Sequence, residues 1–185
     1  MSGFSKTSEA PDGFAASIDT IRVILRAAEA DDLPFLYNVY ASTRAAELAM
    51  TGWDIEQQRT FLTTQFEAQH RHYRTHFPDA AYHVIEINGR SAGRLYVHRR
   101  GDELRIIDIA LLAEYRGRGL GTQLLKELLD EARIGGKRVL IHVERYNPAL
   151  NLYSRLGFES LSDDGVYLQM MWSAPEGRAQ PKTAS

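Results

Sequence analysis

The chain has 185 residues, with 22 basic and 24 acidic side chains, a formal net charge of −2 and no cysteine. The length fits one domain of ordinary size, and a hydrophobic content of 44% is too high for a disordered chain. The near-neutral charge argues against nucleic acid as a partner, because a face that binds phosphates must be basic. The lack of cysteine excludes disulfides, thiolate nucleophiles and thiolate metal sites.

The sequence also lacks the usual signals for membrane insertion or secretion. No uninterrupted apolar stretch is long enough to span a membrane, and the N-terminus has no basic start followed by an apolar run. We therefore expect a cytoplasmic protein with no membrane partner. Residues 1–18 and 174–185 mix small, polar and charged residues without periodicity, which predicts two flexible tails around a single domain at 19–173.

The first part of this domain predicts one strand followed by two helices. Residues 20–25 alternate and are rich in β-branched side chains, as is typical of a strand. Asp31 and Asp32 precede Pro34 and mark a helix start, and a longer amphipathic helix is predicted over residues 54–75.

The second part alternates strands with helices. An Asn-Gly pair at residues 88–89 predicts a tight hairpin, and the almost continuous apolar run at 103–112 predicts a strand covered on both faces. The order predicts an α/β fold with an antiparallel part and one parallel crossover. Strands are predicted at 82–87, 92–98, 103–112, 138–143, 158–161 and 166–171, and helices at 119–134 and 148–156.

The segment that joins the apolar strand to the next helix has the composition of an anion-binding turn. Three glycines at alternate positions let the main chain bend tightly and approach a ligand. The first N–H groups of the helix lack partners, and the helix dipole favours an anion there. Two arginines add positive charge. The turn comprises Arg116, Gly117, Arg118, Gly119, Leu120, Gly121 and Thr122.

The residues of this turn do not match other phosphate-binding motifs. A P-loop needs Lys followed by Ser or Thr after its last glycine, whereas Thr122-Gln123 follows here. A dinucleotide-binding fingerprint needs a glycine where Thr122 stands. An ordinary strand-to-helix turn is the structural alternative, but three glycines weaken a structure unless a close approach requires them.

The remaining pattern, Arg-x-x-Gly-x-Gly, resembles the acyl-CoA-binding motif of the GNAT superfamily of N-acetyltransferases. Asn-Pro-Ala at 147–149 and Leu-Tyr-Ser-Arg-Leu-Gly-Phe at 152–158 resemble the second signature of that family. The order of elements over about residues 21–172 is also similar. The resemblance implies an acyl-CoA N-acyltransferase fold, with a mixed central sheet of about seven strands and four helices.

The resemblance also implies a reaction, the direct transfer of an acetyl group from acetyl-CoA to a primary amine of a small molecule, peptide or protein. The pantetheine arm would lie where strands 103–112 and 138–143 separate. The Leu111 N–H would face the thioester carbonyl and stabilise the oxyanion. The implied cofactor-binding residues are Ile109, Leu111, the turn 116–122, Asn147, Ala149 and Tyr153.

Tyr153 occupies the position where this family usually has its general acid. A phenol, with a reference pKa of about 10, stays protonated at neutral pH and can donate a proton to the leaving thiolate. The structural alternative is an ordinary core tyrosine with a satisfied hydroxyl group.

Asp108 is the first candidate for the general base. It lies in an apolar run three residues before Leu111, where an unpaired carboxylate would be costly. The alternative is a structural pairing with a backbone N–H or with a nearby arginine, for which Arg105 and Arg138 are the candidates. Further candidates for the base are Glu103, His142, Glu144 and an ordered water molecule.

The remaining expectations concern metals, partners and rival functions. His72 and His76 are four residues apart on a predicted helix but lack the Glu of a metalloprotease motif, so we predict a solvated face and no metal site. In this family the early helices border the acceptor site, so part of residues 43–53 is expected to contact substrate, and a homodimer is expected by analogy. The rival functions are a non-catalytic acyl-CoA-binding or sensing module and a nucleotide-phosphate enzyme.

Overall fold

The computed structural model describes residues 21–174, so the predicted tail at 1–18 and all but the first residue of the tail at 174–185 lie outside the described residues. One seven-stranded sheet has the order β1-β2-β3-β4-β5-β7-β6. Its strands are β1 Val23–Ala27, β2 Ala81–Ile87, β3 Arg90–Arg99, β4 Glu103–Leu111, β5 Arg138–Glu144, β6 Glu159–Asp163 and β7 Tyr167–Trp172. The helices are α1 Leu33–Leu48, α2 Ile55–His76, α3 Leu120–Ile134 and α4 Leu150–Arg155.

The sheet is mixed, as predicted. β4 and β5 pair in parallel, and the crossover between them is α3. The neighbouring pairs on either side are antiparallel. The predicted fold class, with seven strands and four helices in the described residues, is therefore confirmed.

Local signals placed most element boundaries within one or two residues. Asn88 and Gly89 have φ values of 50° and 77°, the left-handed conformation that both central residues of a type I′ hairpin need. Asp54 accepts a hydrogen bond from the Gln57 N–H at 2.8 Å and caps α2, which explains the helix start. α4 begins two residues later than predicted, because Asn147 accepts from the Ala149 N–H at 2.8 Å and forms a separate turn.

Two apolar clusters cover the two faces of the sheet. On one face, α3 and α4 pack leucines and Tyr153 against the central strands. On the other face, α1 and α2 pack over β2 and β3 in a cluster rich in aromatic rings, including Tyr40, Phe66, Tyr82 and Tyr96. The central strands are thus buried between two helical layers.

The parallel pairing of β4 with β5 is short. It runs from Glu103 opposite Arg138 to Ile106 opposite Ile141, and beyond that point the strands separate. Leu104 and Ile106 are fully buried, as the apolar run predicted, but residues 107–111 are only half-buried. The expectation of a strand covered on both faces is therefore wrong for its second half, because this half borders an opening in the sheet.

Candidate active site

A cleft of about 540 Å³ opens where β4 and β5 separate. It brings together several residues that the sequence had singled out, namely Asp108, Ile109, His142, Glu144, Asn147 and Tyr153. The expected contact of residues 43–53 with this region also has a structural basis, because Thr43, Arg44, Glu47 and Met50 line the cleft. A larger groove of about 750 Å³ lies between α1 and α2 but contains none of the predicted site residues.

The edge of β4 that faces the gap carries free backbone groups. The Leu112 N–H donates to the Ala92 carbonyl of β3 at 2.8 Å. Backbone groups alternate along an antiparallel strand, so the N–H groups of Leu111 and Ile109 point away from β3 and toward the gap. This is the orientation that a donor to a ligand in the gap needs.

The glycine turn leaves a group of main-chain donors unpaired. Gly117 and Gly119 have φ values of 73° and 79°, where side chains are strained, and Gly119 is the N-cap of α3. Within residues 21–174 no backbone acceptor meets the N–H groups of residues 117–119. Together with the first turn of α3, these groups form a concave set of donors suited to an anion. Gly121 is helical, and a Cβ there would make only an ordinary contact with Leu152 at 3.9 Å.

The two arginines of the turn have different surroundings. The Nε of Arg116 donates to the Leu111 carbonyl at 2.7 Å, and its Nη2 donates to the Ser42 hydroxyl of α1 at 3.0 Å. Arg118 is exposed like Arg116, but within residues 21–174 its side chain makes no hydrogen bond. Only Arg116 therefore ties the turn to β4 and α1.

Tyr153 projects from α4 into the wall of the cleft. It is 4% exposed, and its ring packs edge-on against Phe158 at 5.7 Å between centroids. Burial raises the pKa of the Tyr153 hydroxyl above its usual range, and the negative charge of Asp108 raises it further. The side chain is therefore a neutral phenol throughout the physiological pH range.

Asp108 forms a buried ion pair, but not with the predicted partners. Arg94 of β3, which is 3% exposed, donates to Asp108 Oδ2 at 2.7 Å, and the Tyr73 hydroxyl lies 3.3 Å from the same oxygen. Arg105 and Arg138 bind acidic groups at the start of β4 instead. The pairing with Arg105 or Arg138 is therefore wrong, because the register places Tyr96 opposite Asp108 and brings Arg94, two residues away on the same face, within reach.

The other candidates for the base are divided between two places. Glu103 lies at the start of β4, at the end away from the separation of the strands, and pairs with Arg105 at 3.0 Å. His142 and Glu144 line the cleft from β5. Burial, and then the charge of Arg105, lowers the pKa of His142, so its ring is neutral at pH 7.

Sequence reasoning did not single out three further residues that line the cleft, namely Arg44, Gln69 and Arg94. Gln69 accepts from Arg94 at 3.1 Å, and Arg44 pairs with Glu144 at 2.9 Å across the space between α1 and β5. One signal pointed to Arg94. An arginine within an apolar strand requires a carboxylate partner, since an unpaired buried charge is prohibitively costly.

Comparisons with known proteins agree with this geometry. The sequence profile of the acetyltransferase (GNAT) family matches residues 44–158. A Bacillus subtilis protein provisionally named ribosomal protein bS18-alanine N-acetyltransferase is 31% identical over 104 residues, which cover 51% of this chain and 69% of the relative.

Solved structures share the fold at lower identity. The PaiA N-acetyltransferase from Thermoplasma acidophilum, in complex with coenzyme A, has a TM-score of 0.62 and 16% identity, covering 83% of this chain and 99% of that one. The spermidine N-acetyltransferase from Vibrio cholerae, in complex with coenzyme A and spermine, has a TM-score of 0.55 and 19% identity, covering 82% and 95%.

The split parallel pair, the donor-rich turn and the cleft between them define an acyltransferase class of protein. The chain belongs to the acetyltransferase (GNAT) family, and it is an acetyltransferase. No helix in the described part of the chain is long and apolar enough to cross a membrane. Across residues 21–174, no group of three or more His, Asp or Glu side chains could hold a metal ion.

Proposed function

We propose that the protein transfers an acetyl group directly from acetyl-CoA to a primary amine of a small molecule, peptide or protein. One observation carries the proposal. The pairing of β4 with β5 stops after Ile106, which leaves a free strand edge between the anion-binding turn and the phenol of Tyr153. An extended acyl-CoA can lie along such an edge with its diphosphate on the turn and its thioester in the cleft.

The donor would be held mainly by main-chain groups. The turn 116–122 binds the diphosphate mainly through the free N–H groups of residues 117–119 and of the first turn of α3. Ile109 and Leu111 offer N–H groups to the pantetheine arm along β4. The Asn147 side-chain oxygen already accepts from the Ala149 N–H, so its amide NH₂ is the group left to bind the arm beside residue 149.

The transfer needs one new bond, one broken bond and two proton movements. The amine nitrogen attacks the thioester carbonyl, and the Leu111 N–H stabilises the resulting oxyanion. The carbon–sulfur bond then breaks, and Tyr153 donates its proton to the leaving thiolate. A base accepts the proton that the amine loses. The absence of cysteine agrees with direct transfer, since no cysteinyl acyl-enzyme can form.

The base is Asp108, His142, Glu144 or a water molecule held among them. Arg94 and Tyr73 both donate to Oδ2 of Asp108. Oδ1 is therefore the oxygen that can accept a proton from the amine in the cleft. pH–rate profiles of Asp108→Asn, His142→Gln and Glu144→Gln separate the candidates. Protonation of the base abolishes activity at low pH, so loss of the acidic limb in only one variant identifies the base, and retention of that limb in all three favours water.

The activity is tested by following free thiol release from acetyl-CoA across a panel of amines. The panel contains spermidine and a peptide with an N-terminal alanine, because relatives carry these two acceptor classes in their names. We expect thiol release with at least one amine. Coenzyme A binding without thiol release on any amine would favour a sensing module. The expected homodimer and cytoplasmic location stay predictions.

A further inference from the structure

The side chain of Arg116 connects three elements. Its Nε donates to the Leu111 carbonyl at 2.7 Å, and its Nη2 donates to the Ser42 hydroxyl at 3.0 Å. Ser42 in turn donates to the Val39 carbonyl within α1 at 2.8 Å, so its hydroxyl is fixed in place. The contacts therefore join the last residue of β4, the middle of α1 and the start of the glycine turn.

Leu111 needs such support because the pairing of β4 with β5 has already ended at Ile106. The Leu111 carbonyl points to the same side as its N–H, toward the gap, where a continuing parallel strand would otherwise supply a donor. Arg116 supplies that donor instead. A charged donor to a carbonyl makes a shorter and stronger hydrogen bond than a neutral donor.

The opposite edge of β4 is held by close backbone contact. Gly93 of β3 faces Leu111, and a Cβ on Gly93 would lie 2.2 Å from the Ala110 carbonyl oxygen and 3.0 Å from Leu111 Cα. The end of β4 is thus fixed between β3 on one side and Arg116 on the other.

We propose that Arg116 is a positioning residue, which holds Leu111 so that its N–H stays aimed at the thioester carbonyl. Arg118 is then the positive side chain of the turn left for the diphosphate, because it lies among the free amides of residues 117–119. The inference rests on the proposed acetyl transfer. An oxyanion donor acts only when it is already aligned, and a small misalignment costs much of the rate.

The equilibrium binding of two ligands distinguishes a positioning role of Arg116 from a role in binding the diphosphate. Coenzyme A has the diphosphate but no acyl carbonyl, whereas a dethia analogue of acetyl-CoA keeps a ketone carbonyl and replaces the sulfur by a methylene. Calorimetry gives the dissociation constants of both ligands for the wild type, Arg116→Met and the matched variant Arg118→Met. Steady-state kinetics gives kcat and KM for acetyl-CoA.

For Arg116→Met we expect coenzyme A affinity within about twofold, loss of the preference for the ketone analogue, and a kcat lower by roughly 10- to 100-fold. Arg118→Met should weaken both ligands by the same factor and raise KM. Arg116→Lys, with one charged donor, should recover part of kcat. Ser42→Ala removes only the hydroxyl contact to α1. It should lower the ketone preference and kcat as Arg116→Met does, but by smaller factors.

The inference is overturned if Arg116→Met and Ser42→Ala keep the ketone preference and kcat, or if Arg116→Met weakens coenzyme A as Arg118→Met does. Ser42→Ala decides the question by itself if Arg116→Met does not fold. A wild-type protein that binds neither ligand at millimolar concentration would instead remove the proposed function as well.

Discussion

Tyr153 is a neutral phenol, and it also lines the cleft. Its position in the sequence does not by itself show that one side chain has both properties. Burial against Phe158 raises the pKa of the hydroxyl, so the side chain keeps its proton at neutral pH. In the proposed transfer, the leaving thiolate accepts that proton.

Tyr153→Phe removes that proton and little else, since the ring and its packing remain. We expect kcat to fall by roughly 10²–10⁴-fold, with coenzyme A affinity within a factor of two. Thiol-release kinetics and calorimetry measure the two quantities. Tyr37→Phe is the matched control, because this tyrosine lines the groove outside the cleft. Equal kcat in both variants would exclude Tyr153 as the acid.

The pair of Arg94 and Asp108 is structural as well as chemical. The Arg94 side chain is buried and that of Asp108 is largely covered, with 4% and 13% of their areas exposed, and Arg94 also donates to Gln69. Removing one member of a buried ion pair leaves the other charge without a partner and destabilises the fold. Replacing both members by apolar groups leaves no unpaired charge.

Arg94→Met should therefore lower the free energy of unfolding by about 3–5 kcal/mol, as measured by urea denaturation. The double variant Arg94→Met, Asp108→Leu should lose less than the single variant. A single variant that is no less stable than the double variant would mean that the pair is solvated in solution.

At the scale of elements, both ends of α3 depend on glycine for different purposes. Gly119 at the N-terminal end and Gly136 beyond the C-terminal end have φ values of 79° and 62°. A Cβ at either position would meet no atom within 4 Å, so each glycine is needed for its conformation and not for packing.

Gly119→Ala and Gly136→Ala should each lower the free energy of unfolding by about 1–2 kcal/mol, the cost of a left-handed alanine. Only Gly119→Ala should also weaken coenzyme A, because it alters the free amides of the turn. Chemical denaturation and calorimetry of the two variants test this. Equal coenzyme A affinity in both would contradict the assignment of the turn.

The junction between β1 and α1 depends on a charge cluster. Arg26 of β1 donates to both carboxylate oxygens of Asp32 at 2.7 Å and to Glu86 of β2 at 2.7 Å. The hydrogen bonds from Arg26 lower the pKa of Asp32 to about 2.

The unfolded chain binds that proton near pH 4, and the folded protein binds it only near pH 2. Asp32 therefore stabilises the fold above about pH 4, and this contribution is lost as the pH falls through about 2. The unfolding free energy of Asp32→Asn should fall less than that of the wild type between pH 4 and 2. Asp31→Asn, at the exposed neighbouring position, should retain the wild-type slope.

At the scale of the whole molecule, the cleft lies at the junction between two parts of the sheet. The antiparallel strands β1–β4 with α1 and α2 form one side, and β5, β7 and β6 form the other. The short ladder from Glu103 to Ile106 is the part of the sheet that joins them. A ligand bound in the gap would contact both sides and add hydrogen bonds where β4 and β5 are not paired.

Coenzyme A should therefore raise the melting temperature, with a stabilisation of about 2.7 kcal/mol at a concentration of 100 times Kd. ATP at the same concentration should give a smaller shift, since it has phosphates but no arm to lie along β4. Thermal unfolding with each ligand measures the difference. An equal or larger shift with ATP would favour the rival nucleotide-phosphate enzyme.

Much of the fold was predictable because its signals are local. The Asn88-Gly89 hairpin, the Asp54 cap and the glycine turn depend on residues within a few positions of one another. The order of the elements was predicted from such local patterns as well, and it is similar to that of the family. The base assignment stayed open because Asp108 meets its partner across a strand register that contains a bulge at Tyr96 and Val97.

The sequence by itself determined the elements and the glycine turn, which follow from backbone conformation and from periodicity along the chain. The role expected of Tyr153 came from the resemblance to the acetyltransferase family. The tertiary structure decided which groups meet. It paired Arg94 with Asp108 and placed Arg116 on Leu111 and Ser42, 74 residues away. Such contacts depend on strand register and helix packing, which join residues far apart in the chain and leave no mark in local patterns.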